Sequence, residues 1–230
     1  MYIIIAGGGI AGSSIANKLV DRKHDVVVID TDRQVCKELY ASFGIVTVNG
    51  DARKIEVLKE AGIHRADAAI GTLYLDADNL TFALLAHSER VQRILVKMRD
   101  PAYYQAYRVA GVDSVCDMSS MFTNKVLIEL ESPRIKVVTT IENGKALLVM
   151  FELPRNLPPE GITVQDMVKD PAFATDCVFA GVMDEKREQI VLPRGSDRLY
   201  PGAKVFLVVN SKGLSAIGKY LEKMEQEGMR

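Results

Sequence analysis

Three glycines, Gly7, Gly9 and Gly12, follow the apolar run YIIIA (residues 2–6) in G-x-G-x-x-G spacing, and a segment of helical periodicity begins at Ile10. In that setting each glycine has a task. The first permits a tight turn, the second lets a diphosphate approach the backbone, and the third lets helix pack on strand, while the helix N-terminus offers unpaired N–H groups to an anion. Gly8 widens the approach. Asp30 closes a second apolar run, DVVVI (25–29), where a carboxylate accepts hydrogen bonds from both hydroxyls of an adenosine ribose and repels a 2'-phosphate. Arg33 nearby softens that repulsion. The chemistry expected of this set is nucleotide binding, of a dinucleotide or of adenosine with two or three phosphates. No G-x-x-x-x-G-K-[ST] sequence is present, so the usual lysine and magnesium ligand for γ-phosphate cleavage are missing and ATP hydrolysis is disfavoured.

These residues need a frame, and the spacing of apolar positions predicts one. Strand-like runs at 2–6, 25–29, 45–48, 68–70, 93–97 and 114–116 alternate with helical segments at 10–20, 33–43, 54–61, 78–89 and 102–110. Strands apolar on both faces and separated by short helices indicate a parallel sheet covered on both sides, hence a doubly wound α/β Rossmann domain. A further helix, 118–131, gathers Met121, Phe122, Val126, Leu127 and Leu130 on one broad face, and Pro133 stops it. The expected division is therefore 1–132 and 133–230.

Beyond Pro133 the texture changes. Runs 135–141 and 146–153 are joined across Glu142-Asn143-Gly144-Lys145, whose Asn-Gly pair signals a hairpin. Pro154, Pro158, Pro159 and Gly161 mark a loop, and Thr163 is placed to cap a short helix to Lys169. Three more strands are expected in CVFAGVM (177–183), QIVLP (189–193) and AKVFLVV (203–209), and Ser211 is placed to cap a last helix running towards Glu227. The second part reads as a smaller, mostly antiparallel α+β domain.

Bulk properties narrow the class. The 230 residues are 48% hydrophobic and 26% charged, an ordinary globular composition. With a formal net charge of -1 there is no cation excess to neutralise a phosphate backbone, so nucleic acid is not expected as a partner. Cys36, Cys116 and Cys177 are scattered and odd in number, which suits buried thiols in a reducing cytoplasm. The start lacks a basic leader and a cleavage-like site, and no run approaches the roughly 20 apolar residues that span a bilayer, so direct membrane insertion is not expected.

Several further segments fall in a recognisable order. Asn49-Gly50-Asp51-Ala52 follows the third strand, Gly71-Thr72 the fourth, and Asp76-x-x-Asn79 opens the next helix. Lys97-Met98-Arg99 ends the fifth strand and Ala110-Gly111-Val112-Asp113 precedes the sixth. In the second half come G-x-T-V-x-D-M at 161–167 and I-V-L-P-R-G-S-D-x-L-x-P-G-A at 190–203. Over nearly the whole chain this order resembles the RCK (regulator of potassium conductance) domain family in its TrkA- and KtrA-like form, the second half being similar to the TrkA C-terminal domain.

The resemblance implies a non-enzymatic, nucleotide-binding regulatory subunit that gates a bacterial potassium-uptake transporter or channel. It implies a cytoplasmic protein held at the inner face of the membrane by an integral-membrane potassium-transporter subunit. A single unit of this length further implies a homodimer or higher ring. NAD(H) or an adenine nucleotide (ATP, ADP or AMP) is the implied ligand. By that carry-over Gly7, Gly8, Gly9, Ile10, Ala11 and Gly12 wrap the phosphates, with Asp30 and the adjoining Thr31 at the ribose. Asp51 and Ala52 lie on the adenine side, Thr72 and Leu73 by the inner phosphate or second ribose, and Arg99 by an anionic group. Asp51 also suits a plain turn former, Arg99 a partner of Asp100 or Asp76, and Asn79 either a ligand contact or a helix start. Two positions depart from the family. Asp117-Met118-Ser119-Ser120 lacks a glutamate that binds a cation between subunits in some members, and Arg53 stands where a small hydroxyl residue is usual, at the purine end of the cleft.

Two other classes are weighed. An NAD-dependent oxidoreductase needs an acid or base beside the nicotinamide. His24, His64 and His87 fall away from the expected cleft mouth, Tyr103, Tyr104 and Tyr107 lie on a helix, and no Tyr-x-x-x-Lys pair occurs. A stand-alone nucleotide sensor for a different membrane partner would share every feature above.

Overall fold

Runs that are apolar on both faces must be covered on both, and the first half of the chain achieves this by strict alternation of strand and helix. In a computed structural model, which describes residues 1–141, 145–171, 173, 175–184 and 189–228, the order is β1 (Tyr2–Ala6), α1 (Ile10–Asp21), β2 (Asp25–Asp30), α2 (Arg33–Phe43), β3 (Val46–Asn49), α3 (Ile55–Glu60), β4 (Ala68–Gly71), α4 (Asp76–Ser88), β5 (Arg93–Met98), α5 (Tyr104–Val109) and β6 (Ser114–Asp117). The six strands pair in parallel as β3-β2-β1-β4-β5-β6. This doubly wound order reverses between β1 and β4 and opens a crevice beyond their carboxyl ends.

Alternate residues of β1 enter opposite cores. Ile3 and Ile5 pack with Val28, Ala16 and Leu39, whereas Ile4 packs with Ile29, Leu58, Phe82 and Ile94. Each such side chain contributes about 1.5–3 kcal/mol when fully buried, so the apolar run itself fixes β1 at the centre of the sheet. Local chemistry then sets the helix ends. Asp32 caps α2 by accepting from the Gln34 N–H at 2.7 Å, and Gly44, at φ 65°, ends it in the left-handed conformation that other residues resist. The fourth helix begins at Asp76, ahead of the Asp78 start expected from periodicity. The reason is the Asp76 side chain: it is buried and accepts from the N–H groups of Arg99 and Asp100 and from the Tyr107 hydroxyl at 2.9 Å, tying α4 to the end of β5 and to α5.

The second unit has its own core. It begins inside α6 (Met118–Glu131) and continues through β7 (Ile135–Ile141), β8 (Ala146–Glu152), β9 (Ile162–Thr163), α7 (Val164–Lys169), β10 (Cys177–Asp184), β11 (Gln189–Val191), β12 (Arg198–Leu199), β13 (Lys204–Val209) and α8 (Ser211–Gly228). Five strands form an antiparallel sheet, β11-β10-β13-β8-β7. Val149, Phe151, Val205 and Leu207 are buried on one face together with Ile217, Tyr220 and Leu221 of α8. The two compact units are Met1–Ser120 and Met121–Arg230, a division ahead of the Pro133 boundary suggested by composition. Ile128, buried in the second core, accounts for the difference, because it draws α6 into that unit.

Smaller differences have local causes. Thr163 caps α7 through the Asp166 N–H as its position suggests, and at the start of α8 the Asn210 side chain accepts from the Gly213 N–H at 2.9 Å, while the Ser211 side chain lies outside the described residues. The β9–β12 ladder joins Ile162 to Leu199 and Thr163 to Arg198, segments too short to carry a periodic signal. The Asn-Gly pair of the expected hairpin lies outside the described residues.

The Asp76 knot is testable. Tyr107→Phe removes one of three donors to a buried carboxylate, so urea unfolding should show a loss of about 1–3 kcal/mol with an unchanged m-value. A change within error of zero would mean that the hydroxyl contributes nothing to the knot.

Candidate nucleotide-binding site

The carboxyl edge of the parallel sheet collects most of the residues picked out from sequence. Gly7 turns the chain at φ 96°, a conformation that L side chains rarely adopt. Gly12 then lies against that turn: a Cβ there would stand 1.8 Å from the Gly7 carbonyl oxygen, so no other residue fits. Gly9 differs. It has φ -63°, and a Cβ there would meet nothing within 4 Å. It is also the residue preceding α1, and no side chain caps that helix, whose next residues Ile10 and Ala11 are exposed. A helix start without a cap, approached across an open glycine, presents N–H groups and the positive end of the helix dipole to an anion.

Asp30 braces the turn. One carboxylate oxygen accepts from the Gly8 N–H at 2.6 Å and the other from the Asp32 N–H at 2.8 Å. An ionised carboxylate has about four acceptor positions, so two are left after these bonds. The Asn49 amide donates to the Asp30 and Thr31 carbonyls at 2.9 and 3.0 Å and fixes the exposed Thr31 beside it. From the other side the Thr72 hydroxyl lies 2.9 Å from both the Ala6 and the Gly7 carbonyl oxygens, which joins the loop after β4 to the glycine turn.

Beyond β3, Asp51 is engaged by a neighbour. Arg53 donates from Nε to Oδ1 at 2.9 Å and from Nη2 to Oδ2 at 2.8 Å, and its Nη1 reaches Asp78 of α4 at 2.9 Å. These hydrogen bonds, with the guanidinium charge, hold the Asp51 carboxyl down at about 2. Arg53 is in turn raised by Asp51 first and then by Asp78. Ala52 is buried in the core.

Asn79 neither begins α4 nor turns its amide to the cleft. It is 1% exposed; its oxygen accepts from the Leu73 N–H at 2.9 Å and its nitrogen donates to the Leu73 and Lys97 carbonyls. Its work is to shape the loop that carries Thr72 and the half-buried Leu73. Arg99 is exposed, and its guanidinium stacks on the Tyr74 ring at 4.2 Å from the centroid. Sequence reasoning passed over two groups here. The first is Tyr74, whose pairing with Arg99 no local pattern announces. The second is Lys97, half-buried, with Nζ donating to the Thr72 carbonyl at 3.1 Å and its pKa lowered by burial and then by Arg99. A lysine ending a parallel strand beside the crevice was the available signal.

Of the side chains weighed for acid–base work, Tyr107 is fully buried with its hydroxyl on Asp76, and the His87 ring packs over Gly111. Asp117 accepts from the N–H and hydroxyl of Ser120 at the start of α6. Among the described residues no group of three or more His, Cys, Asp or Glu is placed to hold a metal ion, and no helix is long and apolar enough to cross a membrane.

Residues 3–117 match the sequence profile of the TrkA-N domain, half of the chain and all of the parallel sheet but Tyr2. The chain belongs to the TrkA-N domain family. Among relatives of this TrkA-N protein, a Trk system potassium uptake protein TrkA homolog of Methanothermobacter thermautotrophicus is 22% identical over 211 residues, which cover 92% of this chain and 94% of that one. Such relatives include archaeal proteins, so the family is wider than the bacterial setting expected from sequence. In structure, the chain is similar to the GsuK channel (TM-score 0.64, 19% identity) and to the GsuK channel bound to NAD (TM-score 0.62, 21% identity). Each covers 96% of this chain but only 39% of the channel, so this chain spans well under half of that protein's length. These two likenesses carry the fold, an RCK arrangement of a parallel sheet followed by an antiparallel unit.

The Asp51–Arg53 pair predicts a pH effect whose sign is fixed. A carboxyl depressed in the folded state contributes stability that is present above its ordinary value near 3.8 and is lost as pH falls through about 2. The pair is exposed enough for solvent to screen it, so the contribution is small. In Arg53→Gln protein, carboxyl-carbon NMR should find Asp51 titrating back near 3.8; an unmoved titration would assign the depression to something other than Arg53.

Proposed function

We propose that this chain is a nucleotide-binding regulatory subunit of a potassium-uptake system, with NAD(H) or an adenine nucleotide in the cleft at the carboxyl edge of the parallel sheet. The observation that carries this reading is the uncapped start of α1 behind the open Gly9, with the Asp30 carboxylate beside it. The N–H groups of the 7–12 turn would hold the diphosphate, and the two remaining acceptor positions of Asp30 would take the ribose hydroxyls. Thr31 borders that ribose, and Asp51 and the Ala52 backbone border the base. Thr72, Leu73 and Arg99 line the far side, and Lys97 adds a second cation there. Membership of the TrkA-N family, the TrkA name of the relative and the NAD-bound GsuK neighbour all support this assignment.

Regulation needs a ligand that favours one conformation of an assembly, and coupling of about 1–3 kcal/mol is typical. The surface that would carry it is α6. Met121, Phe122, Leu127 and Leu130 are 52%, 71%, 47% and 75% exposed, although sequence alone allows that face to be ordinary core. A contiguous apolar face of this kind on a folded chain marks an interaction surface. We assign it to a second copy of the chain, so that nucleotide exchange alters the angle between paired subunits and thereby the gate of a membrane partner.

Two measurements test these readings. Titration calorimetry with NAD, NADH, ATP, ADP and AMP, all with free ribose hydroxyls, should show binding. It should fall at least about tenfold in Asp30→Ala protein, a loss of about 1.4 kcal/mol. Thermal unfolding of that variant, run alongside, separates loss of the site from loss of the fold. Equal affinity in the two proteins would remove Asp30 from the site. Light scattering after size exclusion should find a dimer or larger ring that Phe122→Asp and Leu130→Asp together dissociate, and a wild-type monomer at high micromolar concentration would end the α6 mechanism.

A further inference from the structure

The strand order places the base. A diphosphate at the tip of β1 and a ribose at the tip of β2 send the attached base towards β3, whose following loop holds Asp51 and Arg53. At that end a free carboxylate would be the obvious acceptor for the exocyclic amino group of adenine. Here Asp51 is not free. Its Oδ1 accepts from both the backbone N–H and the Nε of Arg53, each at 2.9 Å, and its Oδ2 from Nη2 at 2.8 Å. The third corner of the guanidinium is pinned to Asp78, across the cleft edge on the first turn of α4. Three of the five guanidinium N–H groups are thus committed to two carboxylates, and the plane is fixed in place.

We propose that Arg53 sets the base selectivity of the cleft: its strap from Asp51 to Asp78 withdraws the carboxylate that would read a 6-amino group, so this chain recognises the diphosphate and ribose and tolerates either an amino or an oxo group on the purine. The proposal rests on the nucleotide-binding reading above and adds to it which part of the nucleotide is read. Arg53 takes three of the about four acceptor positions of Asp51 and sets its positive charge against the carboxylate, so a 6-amino group finds one position, on Oδ2, and gains little there over a 6-oxo group. The strap therefore stays closed over either base.

Titration calorimetry of the full chain with ADP and with inosine diphosphate tests this. The two differ at the 6-position and in the proton that the 6-oxo base carries on N1, and they share every phosphate and ribose group. In wild-type protein their dissociation constants should agree within about threefold, well under the tenfold that 1.4 kcal/mol represents. Arg53→Ser, which releases Asp51, should shift the ratio to favour ADP by about tenfold or more, and Arg53→Gln should move it in the same direction. Adding Asp51→Asn to Arg53→Ser should return the ratio to wild type, which assigns the acquired preference to that carboxylate. A ratio unchanged by both Arg53 substitutions, with binding intact, overturns the strap and leaves the cleft as a nucleotide site. A wild-type preference beyond tenfold for either ligand also overturns it, since the base is then read with the strap in place. If neither ligand binds, the nucleotide reading falls and the strap with it.

Discussion

The first unit is built around a distance too short for a side chain. Helix α1 starts so close to the end of β1 that Gly12 faces the Gly7 carbonyl with no room for a Cβ, and the chain can make that turn only because Gly7 accepts a positive φ. From this contact the rest follows in sequence. The axis of α1 is aimed at the sheet edge, its first N–H groups emerge beyond the carboxyl ends of β1 and β4, and Gly8 is delivered to the Asp30 carboxylate. The polar groups along that edge are then distributed by the strand order alone. Asp30 and the Asp51–Arg53 pair lie on the β2–β3 side, and Lys97 and Arg99 on the β5 side, with Asp76 beside them.

Many of the polar side chains at this edge hold backbone. Asn79 closes the loop after β4, Thr72 locks that loop to the glycine turn, and Asp76 knots α4 to β5 and α5. Such bonds are individually modest, about 0.5–1.5 kcal/mol net, yet a buried group deprived of its partner costs more than the bond is worth. That asymmetry makes the edge rigid. A rigid edge places donors in advance of any ligand, which lowers the entropy lost on binding.

The alternation of strands and helices was legible because each apolar run must be buried, and burial leaves a periodic trace in residue type. The glycine turn was legible for a related reason: a steric demand that only glycine meets writes itself into the sequence. What periodicity could not convey was the use of side chains across long separations. Nothing near Asn79 says that its amide will meet Leu73 and Lys97, and nothing near Asp51 says that Arg53 will span to Asp78. The helix start at Asp76 was displaced by such a contact, and the two-residue ladder of β9 and β12 is shorter than any period. The break between units was masked by α6, whose apolar positions read equally well as the last helix of one core or the first of the next. Ile128 and its neighbours in the second core decided it.

Among the turn glycines, Gly9 alone combines an ordinary φ with vacant surroundings. A bulkier residue there has somewhere to go that is not protein, so occlusion of the crevice and collapse of the scaffold are governed by different atoms. A chain altered at Gly9 is accordingly a natural control reagent: its scaffold should stay intact while its crevice is filled, so that an effect of the crevice can be told from an effect of the fold.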